Sequence, residues 1–270
     1  MSNYCASTAQ WSEAFPFGLS VPCGCRRTFR RGGSAIFSRV SAACHNDERT
    51  IASYRTRLQY EADRAAQTLG EAYAYTGDAR YAAEVRRILI EYADHYANHP
   101  KRRDRWGRSG WFAPLGGRRY AQSLDEAVGV ISLAKGYDLT RPSPVWNDKD
   151  RAHVEKDFFR ATADTLLWFN QGINNHQTWY NAGLMAIGSV LGDGELVRKV
   201  LSMRGGFRDQ LERSVTSDGL WYEGTMAYHA YALQAMVEIV EAGRHLGLPL
   251  EKESRFRAMI EAPLKFSYPN

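Results

Sequence analysis

The stretch from Leu58 to Tyr96, LQYEADRAAQTLGEAYAYTGDARYAAEVRRILIEYADHY, decides the fold class. Leu58, Ala62, Ala65, Leu69 and Tyr73 recur at steps of three and four, the period of a helix with one apolar face. Thr76-Gly77-Asp78 then interrupts the stripe. Gly77 suits a helix C-terminus and Asp78 the N-cap of the next helix. Tyr81, Val85, Ile88, Tyr92 and Tyr96 resume the stripe on a second helix. Helices joined by so short a turn pack side by side and antiparallel.

The same reading extends along the chain. His99 to Gly117 is a loop by composition, with Pro100, Pro114, four glycines and a basic cluster. Leu124, Val128, Ile131 and Ala134 mark a third helix, closed by Pro142 and Pro144. Asn147 or Asp148 caps a fourth, which carries Phe159, Ala163 and Leu166. Leu184, Ile187 and Leu191 lead a fifth helix into a second Gly-Asp turn at Gly192-Asp193. Leu196, Val200, Met203, Phe207 and Leu211 mark a sixth, with a break or kink at Gly205-Gly206. Leu233, Met236 and Val240 mark a seventh, ending between Gly243 and Gly247, and another begins in the last 17 residues. Strand alternation is missing after residue 50 and no repeat has a constant interval. The expectation is an all-α domain over residues 51–270, built of antiparallel helical hairpins. Their irregular spacing and large loops fit an (α/α) toroid better than a solenoid. Residues 1–50, rich in Ser, Gly, Arg and Cys, are expected to be a poorly ordered leader.

Composition narrows the function classes. A chain of 270 residues, 44% hydrophobic and 24% charged, can bury one sizeable core. All four cysteines, Cys5, Cys23, Cys25 and Cys44, fall in the first 44 residues, so the main body uses neither a disulfide nor a thiolate metal site. His229 and Glu223 have no partners at metal-ligand spacing, and no metal or cofactor is expected. No apolar run reaches the length of a membrane span. The formal charge of +5 is clumped: Arg26, Arg27, Arg30 and Arg31, then Lys101, Arg102, Arg103, Arg105 and Arg108, then Arg118 and Arg119. Such clusters concentrate polyanions, either nucleic acid or an acidic polysaccharide, although a basic run is as often a solvated loop. Arg26-Arg27-Thr28-Phe29-Arg30 resembles a twin-arginine export signal, with Ser41-Ala42-Ala43 as a cleavage site. The apolar stretch between them is short and is interrupted by Arg39.

Two segments carry chemistry. Gln171-Gly172-Ile173-Asn174-Asn175-His176-Gln177-Thr178-Trp179-Tyr180 gathers amides, an imidazole and aromatics at the head of a helix. Asp218-Gly219-Leu220-Trp221-Tyr222-Glu223-Gly224-Thr225-Met226-Ala227-Tyr228-His229 does the same. A plainer account makes Asn174 an N-cap, His176 a surface residue, and Trp221, Tyr222 and Tyr231 core.

The first segment resembles the Asn-Asn-His-x-x-Trp/Tyr signature of the alginate lyase and heparinase II/III-like families. Asp218-Gly219-x-x-Tyr222-Glu223-Gly224 followed by Tyr228-His229 resembles their second signature. Gly117-Arg118-Arg119-Tyr120-Ala121-Gln122-Ser123-Leu124-Asp125-Glu126-Ala127 is similar to their Gly-Arg-x-x-Ala-Gln-x-Leu-x-Glu-Ala helix. Three motifs in one order, over about residues 55–265, make a specific match.

The resemblance implies a polysaccharide lyase that cuts a uronate polymer, alginate or a heparin-type glycosaminoglycan, by β-elimination. Removing the proton at C5 builds charge on the sugar carboxylate, which preorganised donors must neutralise. The resemblance gives that task to Asn175 and His176 and makes Tyr228 the catalytic tyrosine, expected as the acid toward O4 and, on one sugar epimer, also as the base. A free phenol titrates at about 10, so a tyrosine base needs a positive charge or strong donors nearby. His176 is therefore expected to share the base role. Gln122, Asn174, Trp179, Glu223 and His229 are the candidate substrate contacts. The implied partner is an acidic polysaccharide and not nucleic acid, and the implied location is periplasmic or secreted. Family members continue from the toroid into a β-sandwich domain that adds a His or Tyr to the cleft. With Asn270 last, the chain is expected to be a fragment holding part of the site. Two other readings stay open: a helical remnant that binds acidic polysaccharide without cutting, and an inverting glycosidase using Glu223 with Asp125 or Glu126.

Overall fold

The structure, a computed structural model, describes residues 48–99 and 116–265. The leader, its cysteines and export-like motif, and the basic run from Lys101 to Arg108 lie outside the described residues. By internal contact the chain divides into two compact units, 1–61 and 62–270. The described part of the first is helical, with an ion pair between Arg57 and Glu61 one turn apart.

The described residues form ten α-helices and no strand. They are α1 (Glu48–Thr76), α2 (Ala79–Tyr96), α3 (Ser123–Thr140), α4 (Asp148–His153) and α5 (Ala161–Trp168), then α6 (Asn175–Leu191), α7 (Gly194–Ser202), α8 (Phe207–Ser214), α9 (Met226–His245) and α10 (Ser254–Lys265). Local chemistry sets many boundaries. Gly77 and Gly192 take left-handed backbone at φ 69° and 63°. Asp78, Asn147 and Asp193 then cap α2, α4 and α7 by accepting a backbone N–H. Gly205-Gly206 is a full break, so the expected sixth helix is two, α7 and α8. The expected fourth helix is also not uniform: a π-helical segment, Val154–Arg160, joins α4 to α5. It buries the adjacent Phe158 and Phe159, the first stacked on Tyr92 and the second packed on Tyr137.

Within residues 62–270, contacts run in step along α1, α3, α6 and α9, which makes them parallel. Asp63 lies against Gly129, and Ala66 and Gly70 lie against Gly136. Ser123 bonds Tyr180, and Arg141 reaches the carbonyl of Val190. Trp179 packs on Tyr231, and further along a shallow pocket is lined by Ala186 and Ser189 together with Glu241 and His245. The intervening helices run back between them, which is the hairpin order of an α/α toroid.

The parallel helices meet through small residues. A Cβ on Gly70 would stand 3.0 Å from the Cα of Gly136. Of the expected stripe Ala62 is buried, in line with Ala66 and Gly70, while Leu58, Ala65, Leu69 and Tyr73 are half-buried. Asp63 is buried beside that line and accepts from Arg119 at 2.8 Å and from the Tyr120 hydroxyl at 2.8 Å. Arg119 sits over the rings of Tyr92, Tyr120 and Phe158, at 4.6, 4.9 and 5.5 Å. Next to it, buried Glu126 accepts from the Tyr96 hydroxyl at 2.5 Å and from Arg118 N at 2.6 Å. Burial pushes its carboxyl above the usual range, against the pull of Arg119 and these donors.

Removing one member of a buried ion pair strands the other charge in the core. Asp63→Leu and Arg119→Met should each lower the stability measured by urea unfolding by about 3–5 kcal/mol. The double variant should lose clearly less than the sum of the two.

Candidate functional site

Because they are parallel, α3, α6 and α9 begin at one end of the domain. Each helix N-terminus carries roughly half a positive elementary charge on its unpaired N–H groups. The segments that lead into α6 and α9 hold the two chemistry-bearing motifs, and Gln122 directly precedes α3.

A framework of neutral amides holds the α6 entry. Asn174 has extended backbone, and its side chain accepts from Gln177 N while donating to the carbonyl of Gln171. Gln177 accepts from Gln171 N at 2.7 Å and donates to Asn181, which donates onward to the Gly205 carbonyl. Gln210 donates to the carbonyl of Gly172 at 2.8 Å. Gly172 and Gly205 both have positive φ, and a Cβ on Gly205 would press on the Gly172 carbonyl at 2.6 Å. The Tyr180 hydroxyl joins Ser123 at 2.7 Å to Gln171 at 2.5 Å, and burial pushes it up to about 12.

The second motif is locked onto the first. Glu223 accepts from Asn175 N at 3.2 Å, from Asn175 Nδ2 at 2.8 and 2.9 Å, and from the indole of Trp221 at 2.5 Å. Tyr222, 46% exposed, donates its hydroxyl to the carbonyl of Ile173 at 2.8 Å. Trp221 N donates to Nδ1 of His229, whose Nε2 then donates to the carbonyl of Met259 on α10.

The expected site residues therefore divide. Asn175 is buried at the junction of the two motifs, and His176, half-buried beside it, has no hydrogen-bond partner among the described residues. Burial lowers the proton affinity of His176, against the opposing charges of Glu223 and Asp125. Tyr228 stands in the first turn of α9, 47% exposed. Trp179 and Tyr231, one turn further along α6 and α9, touch with ring centroids 5.0 Å apart. Stepping back three residues on each parallel helix brings His176 and Tyr228 to the same end. Gln122 is half-buried there and makes no cap bond with its side chain.

Three candidate contacts are engaged within the chain to different degrees. Asn174 bonds backbone groups with both ends of its amide. His229 is 1% exposed with both ring nitrogens engaged. Trp179 is 3% exposed against Tyr231, and its buried indole N–H has no hydrogen-bond partner among the described residues. The residues that sequence reasoning missed, Ser123, Gln171, Gln177, Tyr180, Asn181 and Gln210, left one clue: a dense polar run entering an apolar helix.

Comparison with known proteins gives a consistent answer. The pattern of a family described as alginate lyase matches residues 42–270. An alginate lyase of Stenotrophomonas maltophilia is 34% identical over 191 residues, and an exo-oligoalginate lyase of Saccharophagus degradans is 31% identical over 192. Each alignment takes in 66% of this chain, and the chain spans 23% and 24% of those relatives, about a quarter of their length. Among solved structures, alginate lyase A1-III from Sphingomonas species A1 superposes with a TM-score of 0.58 at 19% identity, covering 76% of this chain and 57% of its own. A tetrasaccharide complex of that lyase gives 0.60 at 19% identity, with 77% and 57% covered. At this identity the likeness shows a shared fold.

Asn174 tests the separation of brace from contact. Asn174→Ala should cost about 1 kcal/mol of stability through the lost cap, and Asn174→Asp should recover most of it, as read by thermal and urea unfolding.

Proposed function

We propose that this chain, which belongs to the alginate lyase family, cleaves a uronate polysaccharide, alginate foremost, by β-elimination at the end where α3, α6 and α9 begin. The choice of alginate rests on the relatives, and a periplasmic or secreted location is part of the same proposal. No helix among the described residues is long and apolar enough to cross a membrane.

The observation that supports the reading is the Trp179–Tyr231 contact at 5.0 Å, one turn further along the same two helices than His176 and Tyr228. In the proposed reaction the sugar carboxylate meets an N–H of Asn175 and the positive ends of the helices, which stabilise charge as it develops. Neutral His176 takes the proton from C5. The electrons of that C–H bond form the C4–C5 double bond, and the C4–O4 bond breaks. Tyr228 gives its proton to the departing O4, and proton exchange with water resets both residues. Gln122 is retained as a sugar contact.

A glycosidase is the weaker alternative for a specific reason. Glu223 already accepts three N–H groups, and Glu126 is fully buried against Tyr96 and Arg118. Both carboxylates are already held by groups of this chain, whereas inverting hydrolysis needs one of them on a water.

The chain should therefore produce the ultraviolet absorbance of an unsaturated sugar from alginate, and less from heparan sulfate. New reducing ends without that absorbance would overturn elimination, and binding without either would leave a carbohydrate-binding domain. Tyr228→Phe and His176→Ala should each lower kcat by at least about 100-fold. Since the base form of His176 is the neutral one and burial favours it, the acid limb of kcat/KM should fall below the ordinary histidine value of about 6.5.

A further inference from the structure

Glu223, a candidate substrate contact by its motif, is surrounded by groups of this chain. All of its partners are donors: Asn175 N, Asn175 Nδ2 and the indole N–H of Trp221. A carboxylate so surrounded has little left to offer a sugar hydroxyl, and facing a uronate directly it would repel it. Its geometry instead bears on Asn175. Only the nitrogen end of the Asn175 amide can face a carboxylate, so the position of Oδ1 is fixed as well. Both Glu223 oxygens lie within 2.9 Å of the one Nδ2. Two oxygens of one carboxylate sit closer together than two N–H bonds of one amide spread, so Glu223 takes one hydrogen and leaves the other.

We propose that Glu223 is a positioning residue that locks the amide plane of Asn175 and aims its remaining N–H into the cleft as the donor for the sugar carboxylate. The proposal rests on the lyase reading above and names what makes Asn175 a directed donor. Glu223 is itself held from behind. Trp221 N bonds His229, and His229 bonds the Met259 carbonyl, so a line of hydrogen bonds runs from α10 to the amide. Tyr222 pins the same loop to Ile173. Glutamine cannot substitute at this place. It has one acceptor oxygen for three donors, and its own NH2 would confront one of them.

A misaimed donor weakens the transition state, in which carboxylate charge is greatest, more than it weakens substrate binding. Glu223→Gln should lower kcat on alginate by about 10- to 100-fold while KM moves little. Because the cost is transmitted through Asn175, Glu223→Gln added to Asn175→Ala should lower kcat hardly further. The acid limb of the pH profile should also move to lower pH, since the charge of Glu223 favours protonated His176. Full kcat in Glu223→Gln, or an equal loss with and without Asn175, would overturn the proposal. If Glu223→Gln does not fold, Trp221→Phe removes one donor to the carboxylate and should show a smaller, equally non-additive loss. If the wild-type chain forms no unsaturated product, the lyase reading fails first, and the positioning role is then read by nuclear magnetic resonance. One side-chain N–H of Asn175 should resonate far from the other, and Glu223→Gln should bring the two together. An unchanged separation would sink the positioning role by itself.

Discussion

Helices α3, α6 and α9 point the same way and must lie close enough for their starting ends to gather, although aligned helix dipoles resist it. That closeness is the constraint from which the rest follows. At Ala66, Gly70 and Gly136 the approach is nearly backbone to backbone, and Gly183 fits against the Ala127 carbonyl in the same way. Apolar burial offsets the repulsion between dipoles, and the result is one face where three helix starts and two polar motifs share a neighbourhood. A bulkier residue at any of these glycines would push the helices apart and scatter that face.

Local features were legible in the sequence and pairwise ones were not. Asp78, Asn147 and Asp193 were readable as caps because a cap depends on residues two or three positions away. The α1 stripe caught Ala62 and missed Ala66 and Gly70, because periodicity weighs large apolar side chains and these residues carry almost none. Asp63 and Arg119 were hidden for a related reason: a charged residue in a basic or mixed run is taken for a solvated one until its partner, 56 residues distant, is known. In the site, Asn175, His176 and Tyr228 stood out as motif members. The bond from Asn175 to Glu223 spans 48 residues and has no local signature. Asn174 and His229 belong to the same motifs, and their type and spacing could not reveal the bonds they make within the chain.

The framework around the helix starts is built from neutral groups. Gln171, Gln177, Asn181, Gln210, Ser123 and Tyr180 satisfy one another and the loop backbone without adding a net charge. Amides can be buried this way because each donor meets an acceptor, while a buried charge would need a counterion that competes with an anionic ligand. The guanidinium of Arg119, paired with Asp63, lies instead among aromatic rings. The carboxylate that does stand beside the helix starts, Glu223, is met by three donors.

The π-helical segment between α4 and α5 sets the direction in which α5 presents its buried residues. A π turn holds more residues than an α turn, and each residue advances an α-helix by about 100°. The buried face of α5 is therefore rotated from where an unbroken α-helix running on from α4 would carry it, and the shift is made within Val154–Arg160. Thr162, Ala163, Thr165 and Leu166 are buried in that rotated register, directly ahead of the loop that leads to Asn175 and His176.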